Sequence, residues 1–194
     1  PSVFDSTYQS ISKLHEDSSI IIEPFTNSIE GFHLDRSKKM EELLSVSAKH
    51  QCTIVSGSAG AGKSALVKDY ITSYYDNANV FVFKAEQFNE SALPHVFTKL
   101  GVNDSIADVI SSIGYLKEKL IVIDSLEKLL EANPENAFQQ FLISLSGTHC
   151  SVGCLPNYFM QNGTIDCYPP DIIALRVETL YPSSLFRICF NLFF

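Results

Sequence analysis

Eight consecutive residues constrain this chain more than any others. Gly57-Ser58-Ala59-Gly60-Ala61-Gly62-Lys63-Ser64 satisfies the pattern G-x-x-x-x-G-K-[ST] at every fixed position. Glycine at that density calls for a backbone that enters left-handed conformations closed to most residues, so the segment reads as a tight loop. Its flanks agree. Residues 51–56 (QCTIVS) read as a short buried strand, and residues 65–75 (ALVKDYITSYY) as an amphipathic helix. Strand, glycine loop, helix is the context in which such a loop cradles phosphate groups.

The residue types specify the chemistry. Backbone N–H groups of Gly57, Ser58, Ala59, Gly60, Ala61 and Gly62 would converge on a phosphate tail. The helix that opens at Ala65 would add positive potential at its N-terminus. Lys63 would reach the β- and γ-phosphates, and the Ser64 hydroxyl would sit on Mg²⁺. The expected cofactors are therefore ATP or ADP with Mg²⁺. The guanine-specific N-K-x-D pattern is absent, which favours adenine.

Strand and helix alternate beyond the loop. A helix is expected after Asp35, a plausible N-cap, with Met40, Leu43, Leu44 and Ala48 on its apolar stripe. Residues 80–85 (VFVFKA) read as a second strand. Residues 91–100, 105–118, 127–131 and 136–145 read as helices. Leu120-Ile121-Val122-Ile123 is an apolar run suited to a central parallel strand. The predicted class is α/β, a three-layer P-loop NTPase fold with a mostly parallel central sheet. Residues 1–32 read as an irregular lead-in with one helix near 8–14, and residues 33–194 as the P-loop domain. Residues 151–155 and 172–177 are candidate strands. The apolar run Cys189 to Phe194 would be an aggregation hazard if exposed, so a C-terminally truncated domain is expected.

Asp124 closes the apolar run and would face the glycine loop, because ligands in such sheets lie outside the carboxyl ends of the strands. It could hold Mg²⁺, and Asp124-Ser125-Leu126-Glu127 also fits a capping box. Glu127 could orient or deprotonate an attacking water, or serve as a first-turn acid facing the helix dipole. The catalytic set is thus Lys63, Asp124 and Glu127, with Ser64 and Asp124 as metal partners.

Composition sets outer limits. The net charge of −8 gives no overall basic footprint for nucleic acid. No apolar stretch is long enough for a membrane span, and no signal peptide is evident at the start. A cytoplasmic location with reduced thiols is expected. His149, Cys150, Cys154 and Cys167 lie near one another, but their spacing matches no zinc pattern. Cys150 and Cys154 read instead as lining a buried strand.

Residues 55–66 (VSGSAGAGKSAL) and 120–130 (LIVIDSLEKLL) together resemble the STAND class of P-loop NTPases, which includes NACHT and NB-ARC ATPases and prokaryotic antiviral proteins. The resemblance covers roughly residues 33–155. It implies an ATP-controlled switch of slow turnover that self-associates or acts through partner domains absent from this chain. It also implies that the segment His33 to Arg36 lies near the adenine, making Arg36 a nucleotide-binding residue. One departure stands out. The class commonly carries a sensor arginine after the fourth strand, and the corresponding segment Cys154 to Tyr158 has none. A binding module without turnover, a small P-loop kinase and an AAA+ mechanical ATPase are the rivals, the last weakened because Ser125 rather than a glutamate follows Asp124. The absence of arginine between Ser64 and Leu175 speaks against the kinase, which would clamp developing charge with several.

Overall fold

A computed structural model describes residues 3–29, 31–49, 52–57, 60–74, 80–114, 116, 119–126, 128–129, 137–146, 171–175 and 186–191. Helix α1 (Val3–Ile22) is followed by a two-strand hairpin, β1 (Ser28–Ile29) and β2 (Phe32–His33), and by α2 (Ser37–Lys49). Strand β3 (Cys52–Ser56) leads through the glycine loop into α3 (Lys63–Tyr74). Then come β4 (Val80–Lys84), a 3₁₀ turn (Ala85–Phe88), α4 (Leu93–Lys99), α5 (Ile106–Gly114) and β5 (Lys119–Asp124). Helix α6 (Ala137–Ser146), β6 (Asp171–Leu175) and β7 (Phe186–Asn191) complete the described elements.

The five-stranded sheet has the order β4-β5-β7-β3-β6. Strands β4, β5, β7 and β3 pair in parallel, and β6 is antiparallel to β3. The expected mixed α/β class with parallel pairing holds. Pleating sends alternate residues to opposite faces, and two separate cores result. Ile54, Phe81, Phe83, Ile121 and Ile123 face a cluster completed by α4, α5 and α6. Val55, Val80, Val82, Leu120 and Val122 face a cluster completed by α2 and α3. Burial on both faces is why β4 and β5 read as continuous apolar runs rather than alternating ones.

Part of the apolar run near the end of the sequence is a strand of this sheet. Strand β7 lies inside the sheet, and Phe190 is in register with both Ile54 of β3 and Ile123 of β5. The run was expected to need cover from a missing part of the domain. Its stretch Phe186–Asn191 is an interior strand of the sheet, between β3 and β5, and residues 192–194 lie outside the described residues.

Helix α1 is far longer than the expected turn at 8–14, and Ile20 to Ile22 form its last turn. It runs along the outer edge of β4. Leu14 enters one core and Ile21 the other. The Ser18 hydroxyl, 3% exposed, accepts a 2.8 Å hydrogen bond from the Val82 N–H and donates to the Leu14 carbonyl at 2.7 Å. Two residues on, the Lys84 N–H donates to Gln87 Oε1 at 2.8 Å, and Gln87 Nε2 donates to Asp17 Oδ2 at 2.8 Å. Side chains thus satisfy edge N–H groups that would otherwise offer a template for another strand.

Candidate functional site

Gly57 follows β3 directly. Gly60 (φ +77°) and Gly62 (φ +83°) take left-handed conformations, which side-chain-bearing residues adopt at a cost. Gly62 also accepts from the Leu66 N–H at 2.9 Å, so its carbonyl starts α3. Lys63, the first residue of that helix, is 2% exposed. Its Nζ donates to the Gly57 carbonyl at 2.7 Å and ties the two ends of the loop together. Ser64 is partly exposed, Ala61 likewise, and Ala65 is buried in the helix packing. Ser58 and Ala59 lie outside the described residues.

Asp124 ends β5 and is 8% exposed. Parallel pairing through β7 puts it at the same end of the sheet as the glycine loop. One strand intervenes, so the backbones of β3 and β5 are about 10 Å apart there. Ser125 follows with φ +59°, a left-handed conformation in a residue other than glycine, a strain of a kind that collects at ligand-binding positions. Its Oγ donates to Asp124 Oδ2 at 3.2 Å. A short helical turn begins at once, with Lys128 N–H donating to the Ser125 carbonyl at 3.0 Å. Glu127 lies outside the described residues, and so does the capping-box partner role assigned to it.

Arg36 immediately precedes α2. Its Nη1 donates to the Asn27 carbonyl at 3.2 Å and the Leu34 carbonyl at 3.4 Å, and it pairs with Asp69 Oδ2 on α3 at 3.3 Å. Asp69 also accepts from Asn27 Nδ2 at 2.8 Å, and His33 Nε2 lies 3.6 Å away. This cluster fastens the β1–β2 hairpin to the helix that carries the glycine loop. It sets Arg36 beside Gly62: a Cβ on Gly62 would lie 3.6 Å from Arg36 Nε and 3.9 Å from Nη2. Sequence reasoning singled out Arg36 and missed Asn27 and Asp69. They stand 42 positions apart, so no local periodicity links them.

Asp35 caps the start of α2. Its Oδ1 accepts from the Ser37 N–H at 2.9 Å, and that bond holds its carboxyl below the usual carboxylate range.

Among the described residues, no group of three or more His, Cys, Asp or Glu side chains could hold a metal ion. His149, Cys150, Cys154 and Cys167 lie outside those residues.

Fold and loop together define a mixed α/β protein with a glycine loop at a helix start, a class that hosts unrelated functions on one scaffold. The chain belongs to the Elongator subunit Iki1 family, whose pattern matches residues 39–180. No curated protein matches the chain. The family match overturns the STAND, NACHT and NB-ARC resemblance, and with it the antiviral role and the ATP-driven switch. The P-loop kinase rival falls with them. The physical reason is one of scale. The resemblance rested on two short segments of local backbone chemistry, whereas the family match follows the chain from α2 into the segment after β6.

Proposed function

We propose that this chain serves as a subunit of Elongator, a multi-protein tRNA modification complex, and that it contributes binding surface to that assembly. The family match over residues 39–180 carries this reading. Surface chemistry supports it. Phe32 is 77% and Leu34 52% exposed, and residues two apart on an extended segment share a face. Two large apolar side chains side by side in water suit a contact with a partner. No helix among the described residues is long and apolar enough to cross a membrane. The test is purification of the tagged full chain from the cells that make it. The other Elongator subunits should be recovered in fixed ratio with it. A chain recovered alone, with those subunits present and intact in the flow-through, would overturn the reading.

A second reading concerns the glycine loop and is compatible with the first. The left-handed Gly60 and Gly62, the buried Lys63 and the start of α3 support a site for a nucleotide's phosphates, with Ser64 and Asp124 sharing a Mg²⁺ ion. The strand order, with β7 between β3 and β5, supports the three-layer phosphate-loop architecture as the finer fold class. Equilibrium binding of Mg²⁺·ATP and Mg²⁺·ADP to the full chain tests this reading. Saturable binding that Lys63→Ala abolishes is expected, and equal behaviour of the two proteins would contradict it.

A further inference from the structure

We propose that helix α1 is an intramolecular guard of the sheet, and that it competes for the outer edge of β4 with the β4 strand of a second copy of this chain. The guard is independent of the glycine loop.

Among the described residues, β4 ends the sheet on its side. Backbone groups of alternate residues in a strand point to opposite edges. The Val82 and Lys84 N–H groups meet side chains outside the sheet, so these residues turn their backbone outward, and Phe81 and Phe83 serve the pairing with β5. Val80-Phe81-Val82-Phe83 is a run of strong strand formers without charge or proline. A bare edge of that composition would extend into another sheet. The run is also self-complementary. An antiparallel pair centred on Val82 sets Phe81 opposite Phe83 of the second copy, twice, and Val80 opposite Lys84. Phe81 and Phe83 lie on one face of the sheet, so both aromatic pairs fall on the same side. Such a contact is isologous and closes as a dimer.

Helix α1 stands where that strand would lie. In the pair, Val82 would donate its N–H and accept at its carbonyl. The Ser18 hydroxyl already takes the N–H at 2.8 Å and lies 3.5 Å from the Val82 carbonyl oxygen. One hydroxyl thus covers both groups through which the second strand would bind. The Lys84 N–H is taken by Gln87, which Asp17 holds. The His15 ring stacks on Phe81 with centroids 4.6 Å apart. Part of the hold is polar, including a 2.5 Å hydrogen bond from Ser10 to Asp104, and folding exchanges such bonds against bonds to water at small net gain. A cleft of about 180 Å³ opens between Val80 and the end of α1 at Ser18, Ser19 and Ile22, so the cover is loosest at the start of β4.

The experiment compares the full chain with three variants: Asp17→Ala combined with Ser18→Ala, the milder Gln87→Ala, and Phe141→Ala, which destabilises the core away from the edge. Light scattering gives the mass over a range of concentrations, circular dichroism the fold, and hydrogen exchange the protection of the Val82 and Lys84 amides. With the guard weakened, those amides should exchange faster at low concentration. They should regain protection at high concentration, as the mass rises towards twice the parent's. Gln87→Ala should shift the same way to a smaller extent, and it decides the matter should the double variant fail to fold. Phe141→Ala should gain no protection at these amides with concentration. A folded guard variant with both amides exposed, whose mass matches the parent's at every concentration, would overturn the proposal. Equal self-association in Phe141→Ala would overturn it in favour of general unfolding. Unchanged exchange at both amides in the guard variants would overturn it too, because α1 would then not be what covers the edge.

Discussion

At the scale of single residues, the positions legible in advance were those whose chemistry is local. Gly60 and Gly62 stand where the glycine pattern demands left-handed backbone, and both take it. Gly62→Ala should cost about 1–2 kcal/mol, read as a lowered denaturant midpoint. The added methyl would meet Arg36 only at ordinary contact distance, so the cost is one of backbone strain. Asp35 was legible for the same reason, since its carboxylate meets a backbone N–H two residues on. Its carboxyl is held below the ordinary value by that bond in the folded chain. Asp35 therefore stabilises the fold above the ordinary carboxylate range, and that contribution is lost as pH falls through the lowered folded value. The stability gap between the parent and Asp35→Ala should be open at neutral pH and close in strong acid. A gap that does not change with pH would contradict the assignment. Asp69 and Asn27 were not legible, because their partners come from elements far away in sequence and only the fold brings them to Arg36.

At the scale of elements, the strands were read correctly wherever burial on both faces made them short and continuously apolar, as in β4 and β5. Helix α1 was under-read. Its inward positions Leu14 and Ile21 serve two different cores, and its polar Ser18 faces a strand edge. A sequence scan sees a broken stripe there, since Ser18 looks like a solvent position. Ser18→Ala should leave the Val82 N–H buried without that acceptor and cost about 1–3 kcal/mol, measured by chemical denaturation. An effect near zero would mean that the edge is sealed by other means. The aromatic core on the opposite face supplies a larger test. Phe141, 1% exposed, lies with its ring centroid 5.0 Å from Phe88 and 5.2 Å from Phe83. Phe141→Ala should cost about 3–5 kcal/mol from lost burial and the cavity left behind. Strand β7 was read only as an apolar terminus, because nothing in its own residues announces the neighbours that enclose it.

At the scale of the whole molecule, local chemistry and family membership separate. The glycine loop and the acid-terminated strand pointed to a nucleotide-driven switch, and the match across residues 39–180 assigns the chain to the Elongator subunit Iki1 family instead. A loop of eight residues specifies which groups could meet a phosphate, whereas family membership rests on a pattern that runs through residues 39–180. The exposed pair Phe32 and Leu34 bridges the two scales, since it sits on the hairpin that Arg36 and Asp69 fasten to α3. Phe32→Ser with Leu34→Ser should leave the fold intact and weaken association with partner subunits at least tenfold, checked by circular dichroism and by binding on the same protein. The most direct measurement mixes the purified full chain with the purified remaining Elongator subunits and weighs the products by light scattering during gel filtration. Co-elution at one fixed stoichiometry is the predicted result. Separate elution of the chain, correctly folded and at concentrations where the other subunits assemble, would contradict its assignment as a subunit of that complex.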